Sequence, residues 1–404
     1  MMAEPDGPVE LVIEGMLHSG EAFGRLADGR TVHVPNGTPG DRLSVRITDE
    51  RKSHLEAEIA AVAVPGPDRV EPPCPHADAC GGCDFQFLSV AAQVRVKLDL
   101  FRRAFQQHGI GGHLPEVEFH RSPEPLGYRH RLRLGVVRAG GRPLIGLRRR
   151  HSRQLLEIDS CPVAAPAVNR LLREIRDRHL IEPEPGELVL LAGDRGTGDV
   201  EAIFEDRRGG TRWIRRPAEP VRFRTASDLE IGLSPLAFSQ ANPAVAREIA
   251  SRIDGLVKDR KTRVVELFAG IGTFTAGLAR KAAWVDAVET DAAALAQLKD
   301  NLQRLHLLNV KVFPAAVSAD LAPRTGPAGL LVLDPPWDGC EALPAFVSHL
   351  KPERIGYVSC HPATLARDLR PVLETGSYRI VSCGLFDQFP MTAHIESVTV
   401  LERN

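Results

Sequence analysis

Val264-Val265-Glu266-Leu267-Phe268-Ala269-Gly270-Ile271-Gly272-Thr273 is the stretch on which the fold class turns. An apolar strand runs into a glycine turn, and Thr273 to Lys281 then reads as a helix; glycines there let backbone amides approach a ligand closely. The alternation repeats downstream. Trp284 to Val288 reads as a strand, Ala292 to Leu305 as a helix and Gly329 to Leu333 as a strand. Such βα units predict an α/β, doubly wound sheet with ligands at the carboxyl ends of its strands. Thr275 stands where a dinucleotide fingerprint has its third glycine, which argues against a pyrophosphate and leaves a smaller adenosine ligand open. Glu289 closes the next strand, where a carboxylate accepts hydrogen bonds from both ribose hydroxyls. Asp334, followed by Pro335-Pro336, is pinned at the end of a buried strand beside the same crevice.

Working towards the N-terminus, Ala244 marks the start of the α/β pattern. Tyr128 to Gly146 and Gln154 to Ile158 alternate like strands, and Leu88 to Gln107 has helical spacing. The proline-rich segment Val64 to Pro73 reads as a linker. Before it, Leu11-Val12-Ile13, Thr31 to Val34 and Leu43 to Ile47 alternate between glycine turns, as in a five-stranded OB-like barrel. Three domains are expected: residues 1–65, 66–230 and 231–404.

The 404 residues carry 43% hydrophobic side chains and a formal net charge of -1, so any attraction to nucleic acid must come from local basic patches. Arg129, His130, Arg131, Arg133 and Arg138 make one such patch, and Arg148, Arg149, Arg150, His151 and Arg153 another; both are candidate phosphate contacts, with a solvated charged face as the alternative. No long apolar run is present, and the start, Met1 to Pro8, lacks the order of a secretory signal. No membrane partner and a cytoplasmic location are expected.

Tyr357-Val358-Ser359-Cys360-His361-Pro362 ends another strand on a cysteine, projecting the thiol from the sheet edge into the crevice. Most cysteines are small buried hydrophobes, and Cys340 and Cys383 read that way. A thiol at the crevice suits uracil: thiolate addition at carbon 6 makes carbon 5 an enolate nucleophile, able to attack a sulfonium methyl group. A base must then remove the carbon 5 proton, and Glu396 in Met391-Thr392-Ala393-His394-Ile395-Glu396 is the candidate.

Taken together these residues resemble the RNA 5-methyluridine methyltransferases. Gly20-Glu21-Ala22-Phe23-Gly24-Arg25 and Val34-Pro35-Asn36-Gly37-Thr38-Pro39-Gly40-Asp41 are similar to that family's N-terminal TRAM domain, and Ser234-Pro235-Leu236-Ala237-Phe238-Ser239-Gln240-Ala241-Asn242-Pro243 to the motif ahead of its first methyltransferase strand. The resemblance implies a Rossmann-like, S-adenosylmethionine-binding domain behind a TRAM barrel and a central α+β domain. It makes Cys360 the nucleophile and Glu396 the base, and places Gln240, Phe268, Gly270, Gly272, Thr273, Glu289 and Asp334 at the cofactor. The implied substrate is a uridine of 23S ribosomal RNA, with transfer RNA as the alternative, flipped out of its stack to reach Cys360. A monomer is expected. Thr273 takes a position often held by asparagine. Trp337 stands where the family usually has arginine, and His361 where it usually has asparagine; an indole there offers a base a stacking surface in place of a cation.

Cys74, Cys80 and Cys83 follow a C-x5-C-x2-C spacing, with Cys161 far along the chain before a proline. Three close thiolates and one remote fit a [4Fe-4S] cluster better than structural zinc, which usually sits between paired C-x2-C hairpins. With all four positions filled, the cluster would be structural. Two other readings stay open: an RNA-binding protein with a vestigial methyltransferase domain, and a zinc-stabilised methyltransferase acting on another base or on protein.

Overall fold

The first strand is interrupted by a bulge between Ile13 and Gly15, and this irregularity helps curl five strands into a closed barrel. The computed structural model describes residues 7–194, 199–226 and 228–404; Met1 to Asp6, which hold most of the segment read for a secretory signal, lie outside them. The barrel comprises β1 (Val9–Met16), β2 (Ala22–Arg25), β3 (Thr31–Val34), β4 (Arg42–Glu50) and β5 (Leu55–Val64). Alternation drives it: Leu11, Ile13, Val32, Val34, Leu43 and Val45 point inward and are at most 2% exposed. Buried Asp41 accepts from the amides of Thr38 and Gly66 and from the Arg69 guanidinium, each at 2.7 Å. Those bonds outweigh the desolvation of its carboxylate and hold its pKa below the usual range.

Two compact units divide the chain. The first runs to Leu100 and includes Leu147–Leu156 and Phe389–His394; the second comprises Phe101–Gly146, Glu157–Gln388 and Ile395–Asn404. Helix α1 (Val90–Gln107) begins in the first unit and continues into the second. Next come β6 (Val117–His120) and an antiparallel sheet ordered β12-β11-β10-β7-β8-β9. Its strands are β7 (Arg131–Ala139), β8 (Arg142–Arg148), β9 (Leu155–Glu157), β10 (Gly186–Ala192), β11 (Val200–Asp206) and β12 (Thr211–Arg215), with α2 (Pro166–Asp177) inserted after β9. A hairpin of β13 (Arg222–Arg224) and β14 (Glu230–Gly232) leads into the α/β region.

That region is built as its sequence alternation predicts. It runs α3 (Pro243–Asp254), β15 (Arg263–Leu267), α4 (Thr275–Lys281), β16 (Trp284–Glu289), α5 (Ala292–Arg304), β17 (Val310–Pro314), β18 (Leu330–Leu333), α6 (Leu343–Leu350), β19 (Arg354–Ser359), α7 (Pro362–Glu374), β20 (Tyr378–Phe386) and β21 (Glu396–Arg403). The sheet order is β17-β16-β15-β18-β19-β21-β20-β6. The first five are parallel, and the order reverses between β15 and β18, which opens a crevice at their carboxyl ends. β21 is antiparallel to both neighbours. Strand β6, far upstream, adds in parallel to the β20 edge and covers it; His120 stacks on Phe386 with ring centroids 4.3 Å apart. Val264, Leu278, Val285, Leu298 and Val332, each at most 1% exposed, form the core between sheet and helices.

Among the described residues no helix is long and apolar enough to cross a membrane.

Candidate active site

Ser359 pairs with Ser397 across the antiparallel β19–β21 ladder, so one further step along each strand sets Cys360 opposite Glu396. Leu333 pairs with Tyr357 on the other side of β19, which puts Asp334, the residue after β18, at the same edge. Helix α7 starts at Pro362, immediately beyond, with a proline where the helical amide has no partner to lose. Three titratable groups are thus brought together by strand register, although Asp334, Cys360 and Glu396 are well separated in sequence.

Their electrostatics bear this out. Burial, and then the negative charge of Glu396 and Asp334, push the Cys360 thiol up to about 12. Burial raises Asp334 to about 7, and it lifts Glu396, which is 3% exposed and close to Asp334, well above the carboxylate range. At neutral pH the cysteine is a thiol. Cys340 and Cys383 are core thiols, 2% and 1% exposed, as the sequence suggests.

Across the crevice, β15 is followed by Phe268, whose φ of 62° is a left-handed conformation that a non-glycine residue holds only under tertiary constraint. Gly270 and Gly272 follow with φ of 56° and 93°. A Cβ on Gly272 would meet Leu298 Cδ1 at 2.8 Å, whereas one on Gly270 would meet nothing within 4 Å. Gly272 therefore serves close helix packing, and Gly270 faces open space. The amide of Gly270 donates to Glu289 Oε2 at 2.8 Å; those of Thr290 and Asp291 donate to Glu289 Oε1, each at 2.7 Å. Glu289 thus holds the glycine loop with both lone pairs of Oε1 and one of Oε2, leaving Oε2 able to accept from a ligand hydroxyl. Thr273 sits half-buried between the loop and α4. Asn301, buried on α5, accepts from the Gly232 amide at 2.7 Å and donates to the Ile271 carbonyl at 2.9 Å, tying the loop to the hairpin. The open floor at Gly270 and the Glu289 carboxylate fit an adenosine ligand; the buried acids add negative potential suited to a sulfonium.

Gln240 accepts a hydrogen bond of 2.9 Å from Gln388 Nε2. Gln388, fully buried with its own Oε1 unpartnered, is a site residue that sequence reading missed. The available signal was a polar Asp387-Gln388 pair directly after the apolar strand β20. Arg131 fixes the segment leading to Gln240 by donating to the carbonyls of Ser234 and Pro235 at 3.3 and 2.8 Å. Its burial lowers its pKa to about 10. Of the arginines read as candidate phosphate contacts, Arg131 is instead an internal hook and half-buried Arg150 holds Asp84 and the Cys83 carbonyl, whereas Arg133 is exposed and ion-paired with Glu187 and Glu205. Arg149 and Arg153 remain exposed.

Cys74, Cys80 and Cys83 are half-buried in the first unit, and Cys80 Sγ accepts from the Gly82 amide at 3.4 Å. Burial raises the Cys80 pKa, and Cys74 is near enough to raise it further. Cys161, in the second unit, is buried and held through its backbone by Asn169. Among the described residues no group of three or more His, Cys, Asp or Glu side chains converges where it could hold a metal ion.

Glu266 on β15 is 1% exposed, with only the Thr275 hydroxyl near enough to favour its charged form and no hydrogen bond of good geometry on either carboxyl oxygen. Burial, reinforced by the nearby charges of Asp334 and Asp254, pushes its pKa up from 4.5 to about 8. A carboxyl raised on folding contributes stability that is complete below its unfolded pKa and lost as pH rises through its folded one. Stability should therefore fall between pH 5 and 9. Glu266→Gln should leave the melting temperature unchanged near pH 5 and raise it by about a few degrees near pH 9. A wild-type melting temperature that is flat across this range would sink the argument.

Three family models match the chain: "tRNA (Uracil-5-)-methyltransferase" over residues 328–404, "Conserved hypothetical protein 95" over 252–356, and "TRAM domain" over 9–60. The 23S rRNA (uracil(1939)-C(5))-methyltransferase RlmD of Alkalilimnicola ehrlichii is 34% identical, the match covering 99% of this chain and 97% of that protein. The enzyme of the same name from Halomonas elongata is 35% identical over 99% and 90%. Among solved structures, Pyrococcus abyssi tRNA (uracil-54, C5)-methyltransferase in complex with S-adenosyl-L-homocysteine superposes with a TM-score of 0.74 at 23% identity, covering 97% of this chain and 100% of that one. This likeness shows that the fold is shared.

Proposed function

The chain belongs to the family of S-adenosylmethionine-dependent RNA (uracil-5-)-methyltransferases, and from that premise we propose that it methylates carbon 5 of one uridine of 23S ribosomal RNA, the uracil its relatives' names number 1939. The observation that carries the chemistry is the register that sets Cys360 opposite Glu396, with Asp334 on the neighbouring strand.

In this reading Cys360 passes its proton to the ionised carboxylate of Asp334 and its sulfur adds to carbon 6 of the flipped uracil, leaving carbon 5 electron-rich. Bound S-adenosylmethionine supplies an electrophilic methyl group. Phe268, Gly270, Gly272, Thr273, Glu289, Asp334 and Gln240 would hold it, with Glu289 Oε2 accepting from a ribose hydroxyl. Glu396 then takes the proton from methylated carbon 5, and the carbon–sulfur bond breaks to restore the free cysteine. A buried acid with a raised pKa is a strong base once it has lost its proton, and the surrounding sheet keeps water from competing. Asp334, with a pKa near 7, is the neighbouring group able to exchange a proton with this pair.

The finer cofactor reading rests on the sequence. Cys74, Cys80, Cys83 and Cys161 are proposed to hold a structural [4Fe-4S] cluster, zinc being the alternative; the all-thiol donor set and the N–H donated to Cys80 Sγ support it. Anaerobic purification followed by iron, sulfide and zinc analysis decides between them. Domains at 1–65, 66–230 and 231–404, working as a cytoplasmic monomer, complete the proposal.

The test is incubation with labelled S-adenosylmethionine and total RNA lacking the modification, followed by size separation and nucleoside analysis. Label in 5-methyluridine of 23S RNA is the expected result. Label in transfer RNA would move the substrate to the class that the family model's description prints. Cofactor binding without any RNA labelling would overturn the catalytic reading.

A further inference from the structure

The two positions at which this chain departs from its family beside the reacting groups, Trp337 and His361, touch. Their rings stack with centroids 4.1 Å apart and planes 23° from parallel. Trp337 follows Asp334-Pro335-Pro336 and His361 follows Cys360, so the stack lies at the rim of the crevice. Trp337 is 47% exposed, which leaves part of its indole surface open to solvent.

The platform is held rigidly by helix α7. Thr364 Oγ1 lies 3.1 Å from the Trp337 carbonyl and 3.2 Å from His361 Nδ1, so one hydroxyl links both partners. Arg367 Nη2 donates to the Asp338 carbonyl at 2.6 Å, and the Cys340 amide donates to Asp368 Oδ2 at 2.6 Å. Gly339, with φ of 76°, closes the turn where a Cβ would strike Asp368. Burial and the charge of Arg367 lower the His361 pKa, so its ring is neutral and presents a π-face. The Arg367 guanidinium is itself held by Asp368, so stacking, not a cation, is what the Trp337–His361 pair offers at this rim.

Resting on the functional reading above, we propose that the Trp337–His361 pair is a stacking platform for the nucleobase adjacent to the methylated uridine. Flipping the uridine towards Cys360 removes its neighbour's stacking partner, and a pre-ordered indole replaces it with little loss of side-chain freedom.

The experiment compares wild type, Trp337→Ala and Trp337→Phe in methylation of a 23S RNA transcript, with S-adenosylmethionine affinity measured alongside. Trp337→Ala should raise KM for RNA roughly 5- to 150-fold, leave kcat and cofactor affinity little changed, and be largely rescued by Trp337→Phe. RNA should quench the tryptophan emission of wild type more than that of Trp337→Phe. A wild type that methylates the transcript alongside an alanine variant with unchanged KM overturns the platform alone; so does a phenylalanine variant no better than alanine. A wild type that binds cofactor but methylates no RNA overturns the functional reading, and the platform with it.

Discussion

Cys360→Ala should lower methyl transfer to RNA by roughly 10^4- to 10^6-fold, the scale seen when a covalent nucleophile is removed. S-adenosylmethionine binding should survive, because the glycine loop and Glu289 are positioned by β15, β16 and Asn301, none of which depends on the thiol. The loss should not be recovered at high pH or high RNA concentration, since it is the carbon 6 adduct that is missing. A second readout follows from the resting thiol: with its pKa held near 12, Cys360 should react only slowly with iodoacetamide at pH 8 in the free enzyme. If Cys360→Ala retains more than a small fraction of activity, carbon 5 is activated some other way and the proposed chemistry fails.

Glu396→Gln should fail at a different step. Amide and carboxyl are nearly isosteric, and burial holds the native carboxyl's pKa well above the usual range, so folding should be little disturbed. Addition of Cys360 and methyl transfer can still occur, but the carbon 5 proton has no acceptor, and turnover should fall by about 10^2- to 10^4-fold. The methylated RNA should remain bonded to the protein and appear as a slow band on a denaturing gel, carrying label from the methyl donor. Its absence in Cys360→Ala and in the Cys360→Ala, Glu396→Gln double variant would confirm the bond as cysteine–uracil. Free methylated RNA released at the wild-type rate would remove Glu396 from the role of base.

Much of the α/β region was legible because local and global signals agree there. The apolar stretch Val264–Leu267 before two glycines, and the strand Leu330–Leu333 before Asp334-Pro335-Pro336, each carry their own boundary chemistry. The barrel was legible for the same reason: Leu11, Ile13, Val32 and Val34 alternate between turns. Arg131 was misread because charge in sequence does not disclose burial. Arg131 is drawn inside by the carbonyls of Ser234 and Pro235, about a hundred residues away in the chain.

Sequence by itself determined the class of fold, the glycine turn with its acid, and the family, since these rest on short-range patterns of residue type. Tertiary structure alone decided which side chains meet. Antiparallel insertion of β21 between β19 and β20 sets Glu396 against Cys360. Parallel addition of β6 covers the sheet edge, and α7 presses His361 onto Trp337. Strand register and helix docking are settled by the summed burial of whole faces, so no local window of sequence carries them.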